Sequence, residues 1–178
     1  MRRLSLLLVV LAGCTAPYDL ERDADLQHGR AAVDAFAGEL QQTLKGAITE
    51  HGVPASVTVC RDQAPVIALA VSERFDVQLG RVSERVRNPA NAPSPWQREG
   101  LALLAGEAAE PGRKVEYFAR ATGQKRYMRA IHVAPLCTSC HGRVIAPDVE
   151  AALEAAYPDD RARGYAPGDF RGAFYAVW

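Results

Sequence analysis

Five consecutive residues, Cys137-Thr138-Ser139-Cys140-His141, constrain this chain more than any other feature in it. Two thiols three positions apart, followed at once by a histidine, form the attachment signature of a c-type haem. The spacing has a physical reason. Thiols so placed reach the two vinyl groups of one porphyrin and form thioethers, and the next residue is carried under the iron as its proximal ligand. Covalent attachment keeps the group from leaving even a small, open domain. The competing chemistries need residues that are lacking. A zinc site takes four ligands, commonly with a second C-x-x-C or a pair of histidines, and no such partner is present. A thioredoxin-like dithiol leaves His141 unexplained and lacks the usual βαβ start. The reading at this point is one covalent haem c, with Cys137 and Cys140 as thioether donors and His141 as proximal iron ligand.

Only two other cysteines are present, Cys14 and Cys60, too few for a disulfide scaffold. Cys14 closes a segment with a secretory layout: Met1-Arg2-Arg3, an apolar run over residues 4–11 broken only by Ser5, then Ala12-Gly13. The run is far short of the roughly 20 residues a spanning helix needs, so it reads as cleaved. Leu11-Ala12-Gly13-Cys14 resembles the lipobox of bacterial lipoproteins, in which the cysteine is acylated and becomes the mature N-terminus. Two or three acyl chains hold a protein stably on a membrane where one would not. Thr15 in place of an aspartate after the cysteine favours the outer membrane. The expected organisation is a signal peptide over residues 1–13, a lipidated tether over 14–24 and one domain over 25–178, on the periplasmic side of the membrane. Loss of Arg2 and Arg3 with the leader takes 21 basic residues to 19 against 21 acidic, a net charge of −2. Such a balance gives no electrostatic footprint for nucleic acid.

The remaining 154 or so residues, in a chain that is 48% hydrophobic and 24% charged, suit one globular core. Val33, Phe36, Leu40, Leu44 and Ile48 recur at steps of three and four, which predicts an amphipathic helix over residues 25–52 ended by Gly52 and Pro54. A second helical stretch is expected over 55–75, with a break or restart at Pro65. Residues 77–82 read as a strand and 87–93, rich in Pro and Asn, as a structured loop. Ser94-Pro95-Trp96-Gln97 carries the signals of a helix start, running to about residue 109. Residues 113–121 and 125–134 form a hairpin about Thr122-Gly123-Gln124, 147–156 a short helix and 170–178 a last strand. The order predicts an α+β domain with a central antiparallel sheet, a long N-terminal helix and flanking helices.

Iron held by His141 needs a second axial ligand or an open position. Cys60, Met128, His132, His28 and His51 are the available groups, Met1 being lost with the leader. Cys60 is the odd thiol in a compartment that oxidises thiols, so it is either buried and inert or held by a metal. Met128 and His132 lie on the strand leading to the motif, where packing is the ordinary role; His28 and His51 lie near helix ends, where solvation is.

These residues, with 59–65, 80–93, Arg126-Tyr127, 137–142, 157–160, Gly164-Tyr165 and 168–172, resemble a family of c-type haem proteins with a PAS-like sensor fold, which occur alone or as input domains of membrane signalling proteins. The resemblance covers residues 25–178. It implies His141 and Cys60 as the two axial ligands, and a thiolate ligand implies a low midpoint potential. One departure is His132, in a stretch where family members tend to have a proline and no histidine, which leaves it a rival for the iron. Arg81, Arg85, Arg87 and Arg126 are candidates to pair with haem propionates, because a guanidinium matches a carboxylate in two-point geometry. The function implied is a lipid-anchored redox or small-gas sensor that signals through a redox or signalling protein partner, the alternative being a low-potential electron-transfer cytochrome. A haem enzyme such as a peroxidase needs an open iron position, which full coordination by Cys60 disfavours.

Overall fold

The computed structural model describes residues 23–107 and 115–178. Its frame is a four-stranded antiparallel sheet of β1 (Gln78–Val82), β2 (Glu116–Ala121), β3 (Gln124–His132) and β4 (Phe170–Val177), in the order β1-β4-β3-β2. The last strand in sequence is therefore central, pairing Gln78 with Val177 on one side and Met128 with Tyr175 on the other. Alternation decides which residues face which layer. Tyr127 and Ala176 join the core under the first two helices, whereas Met128 and Ala173 join a second core under α3 (Pro95–Glu107). The result is the expected α+β, PAS-like arrangement, with helices on both faces of the sheet.

The first helix, α1 (Ala24–Thr58), starts one residue earlier than its periodicity predicts because Asp23 caps it, accepting from the amides of Asp25 and Leu26. Arg120 binds the same carboxylate from β2 and fixes the helix start to the hairpin. Val33, Phe36 and Leu40 are buried against the sheet as their spacing implies. Leu44 and Ile48, one and two turns further on, remain half-buried and face a cleft instead. The helix breaks at Gly52, whose φ of 80° and ψ of 172° suit glycine alone, and the last turns restart through Pro54.

The expected second helix is not continuous. Residues Val59–Gln63 form a π-helical turn before α2 (Ala64–Phe75), with the amide of Ala64 bonding to the carbonyl of Val59. Pro65 supplies the reason: it has no amide to donate and would crowd the carbonyl four residues back, and one extra residue in the turn makes room for it. The start of α3 follows its sequence signals, with Gln97 Oε1 accepting from both the amide and the hydroxyl of Ser94. Between β2 and β3 the turn is Thr122-Gly123, both with positive φ, the geometry of a two-residue type I′ hairpin. A short α4 (Thr138–His141) carries most of the C-x-x-C-H segment, and α5 (Pro147–Ala156) coincides with its predicted limits. Among the described residues no helix is long and apolar enough to cross a membrane. Cys14, the leader and all of the tether before Asp23 lie outside the described residues.

Candidate functional site

The far half of α1, the π-turn, β1 with the loop after it, the end of β3 and the C-x-x-C-H segment enclose one cleft. Its walls are largely apolar, with Leu40, Leu44 and Ile48 on the helix side and Val82, Ile131 and Phe174 on the sheet side. Cys60, Cys137, Cys140 and His141 all line it. The π-turn is what brings Cys60 there, since widening one turn re-aims a side chain that a plain α-helix would direct elsewhere. The three described cysteines are unpaired thiols. Burial raises the Cys140 thiol above its usual value, the charge of Arg87 opposes this, and charge on Cys60 or Cys137 would act with burial. Tyr157 is 6% exposed on the same wall; burial pushes its hydroxyl up to about 12, with Cys60 acting in the same direction.

The histidine of the motif is held in one orientation. His141 Nδ1 lies 2.6 Å from the carbonyl oxygen of Ala162, which only accepts, so Nδ1 carries the hydrogen and Nε2 is left with its lone pair. Burial, reinforced by the charges of Arg87 and Arg171, lowers its pKa to about 3, so the imidazole is neutral at any ordinary pH. The backbone about it is fixed as well. The amides of Tyr165 and Gly164 donate to the carbonyls of His141 and Gly142 at 2.9 and 2.8 Å. Gly142 must be small, because a Cβ there would meet the Thr138 carbonyl oxygen at 2.4 Å.

Arg87 is the anchor behind the motif. It is 8% exposed, and its Nη2 donates to Asp160 Oδ2 at 3.0 Å, to the Cys140 carbonyl at 2.5 Å and to the Ala162 carbonyl at 3.4 Å. Burial would raise the Asp160 carboxyl, but hydrogen bonds from Arg87 and the Ala162 amide outweigh it and hold the pKa below the usual carboxylate value. Asp160 also accepts from Arg163 Nε at 3.0 Å. The loop of residues 87–93 contributes Asn88 and Asn91 to the cleft wall.

The other sequence candidates separate by position. Arg81 lines the cleft from β1. Arg126 does not: it lies toward the hairpin end of β3, its guanidinium over the Trp96 ring at 5.2 Å and bonded to Thr122 Oγ1, so strand direction carries it away from any propionate in the cleft. Arg85 is likewise turned away, stacked on Tyr165 at 4.2 Å and bonded to the carbonyls of Arg161 and Arg163. Met128 is fully buried under α3 with its sulfur against Gly100, which removes it from the list of iron ligands. His28 is bonded to the Phe75 carbonyl, and His51 is exposed beside Glu50. His132 does line the cleft, with its ring edge-on to Phe170. Sequence reasoning missed Arg171, Asp160 and Tyr157 as site residues. Their only signal was membership of the segments 157–160 and 168–172 that carry the family resemblance, since nothing in local spacing places residues 157–171 beside residue 87.

The residues present fit a covalent haem. The donors are two thiols, one preset neutral imidazole and one further thiol around an apolar slot, with guanidiniums at its edge. No match was found among curated proteins. Among solved structures, the crystal structure of the cyanobacterial haem protein Tll0287 matches with a TM-score of 0.62 and 25% identity, covering 83% of this chain and 92% of that one. The Tll0287-like family profile matches residues 22–177, which takes in the π-turn, the sheet and the whole C-x-x-C-H cleft, and on that extent the chain belongs to the Tll0287-like family.

Proposed function

We propose that the protein is a lipid-anchored periplasmic sensor bearing one c-type haem, attached through Cys137 and Cys140 and ligated by His141 and Cys60. The observation that carries this reading is the meeting in one apolar cleft of the π-turn thiol with a C-x-x-C-H segment whose histidine already has Nδ1 committed. Bound there, the haem supplies one-electron chemistry and a site for small gases. The protein's own residues do the rest. The Ala162 carbonyl orients His141 and strengthens it as a donor. Cys60 would hold the iron as a thiolate, a ligand that favours the ferric state and whose hold acid would weaken. Were Cys60 to let go of the iron, the π-turn, and with it the join between α1 and α2, would be free to move. That join is the element through which a signal passes to a partner protein. The anchor is Cys14, and Thr15 in place of an aspartate after it favours the outer membrane.

The test is spectroscopic. Purified protein should carry one haem per chain that survives denaturation, and Cys60→Ala should abolish the ferric low-spin thiolate signal in electron paramagnetic resonance. An unchanged signal in Cys60→Ala rules out this ligand and points to His132. One feature favours the electron-carrier alternative: Leu136, on the cleft rim beside Cys137, is 42% exposed, as at a docking edge. Carbon monoxide binding to the reduced protein separates the two, since a sensor takes it up and a carrier that stays six-coordinate does not.

A further inference from the structure

Four buried side-chain nitrogens among the described residues have no hydrogen-bond partner: Arg87 Nε, Arg126 Nε, His132 Nε2 and Arg171 Nε. Three of these four residues, Arg87, His132 and Arg171, line the one cleft. An unmade bond at a buried donor costs about 1–3 kcal/mol, and native proteins leave few of them. Their concentration here marks a cleft short of acceptors.

The charge balance points the same way. Arg81, Arg87 and Arg171 line the cleft, and Asp160, the carboxylate bonded to Arg87, is shared with Arg163, which also reaches Glu150. Four guanidiniums thus stand against two carboxylates. Arg171 Nη1 bonds to the Ser83 hydroxyl at 2.6 Å and the Arg85 carbonyl at 3.1 Å, both uncharged. Burial lowers the Arg171 pKa, and repulsion from Arg87 and Arg81 acts in the same direction. A half-buried cation whose Nε is shielded and unpaired in that position calls for an anion.

We propose that Arg171 and His132, with Arg87, form a carboxylate-binding end of the cleft whose occupants are the two propionates of the haem. The proposal rests on the haem reading above. Two carboxylates match the excess of two positive charges, and they offer acceptors to the three orphaned nitrogens, His132 taking part as its Nε2–H tautomer. His132 thereby has a role that does not require it to bind iron.

Resonance Raman spectra of the haem-loaded protein test this, because the propionate-bending bands respond directly to hydrogen bonds at those carboxylates. Arg171→Met should shift a bending band and lower the midpoint potential through loss of a nearby positive charge, and Arg171→Lys should restore most of the potential. Should the methionine variant fail to fold, the lysine variant still moves the band by replacing a fork with a point donor. His132→Phe should shift a band while leaving the low-spin resonance signal as in wild type. Added sodium succinate should change nothing, because the site is already filled; a succinate-dependent band shift would identify a free small carboxylate as the occupant and overturn the assignment. Bands unmoved in both residue 171 variants and in His132→Phe would overturn it while leaving the haem reading intact. An altered low-spin signal in His132→Phe would make His132 an iron ligand instead. A protein purified with Cys137 and Cys140 as free thiols would overturn the haem reading and this one with it.

Discussion

Arg87→Met removes the donor that holds the motif in place, and its cost can be worked from the contacts. At 3.0 Å the attraction between Arg87 and Asp160 is about 5–6 kcal/mol for an effective dielectric constant near 20, much of it offset by desolvating both groups. Removing one partner of a buried pair costs about 3–5 kcal/mol, because the other charge stays behind. Here Asp160 keeps Arg163 at 3.0 Å and the Ala162 amide at 2.8 Å, which brings the figure to the low end. The Cys140 carbonyl loses a donor at 2.5 Å, adding about 1 kcal/mol. The expected loss is about 3–4 kcal/mol, seen as a fall in thermal midpoint of roughly 10 °C for a domain of this size. Urea unfolding followed by circular dichroism measures it, and a cycle with Asp160→Asn isolates the pair: the double variant should be less destabilised than the sum of the two single ones. Because the pair is buried, the loss should barely change between low and high salt. A cost under about 1 kcal/mol, or a cycle with no coupling, would refute the account of Arg87 as the anchor of the motif.

Three further outcomes are expected. Without haem, the chain should lose stability on acidification: His141 titrates near 6.5 when unfolded and near 3 when folded, so between those values the unfolded state binds the extra proton, and the stability present above pH 6.5 falls by up to about 4 kcal/mol as pH approaches 3, measurable by urea unfolding across that range. Thr122→Asn should stabilise the fold by roughly 0.5–1 kcal/mol in the same assay, since Thr122 holds a φ of 54° in a turn where asparagine is at ease. Gly29→Ala should destabilise by about 1–3 kcal/mol, because its Cβ would lie 2.9 Å from Tyr127 Cβ and from the Trp178 ring, and the α1–sheet spacing must open to admit it.

What could be read from the sequence follows the range of the interaction responsible. The cap-and-proline start of α3 and the limits of α5 are local, and each appears where its residues indicate; the C-x-x-C-H segment is equally local, and it lies on the cleft wall. The break at Gly52 and the restart at Pro65 were readable as interruptions. That the turn made for Pro65 aims Cys60 at a cleft was not, since the cleft itself is closed by segments far away in the chain. Arginines were the hardest case. Arg81, Arg87 and Arg126 look alike in sequence, yet strand direction sends Arg126 to the hairpin, the loop after β1 buries Arg87 on Asp160, and β4 brings in Arg171, which no spacing rule connects to the motif.

The placement of β4 between β1 and β3 also governs the order of assembly. Before residues 170–177 join, β1 has no partner on the sheet, and the β2–β3 hairpin offers only an open edge. Closure must wait on contacts between segments far apart in the chain, which is slow relative to helix formation. Until then the C-x-x-C-H segment has neither the Phe174 wall nor Arg171 beside it. Its thiols are therefore more accessible in the unfinished chain than in the finished one, and the pairing of the last strand completes the wall over them.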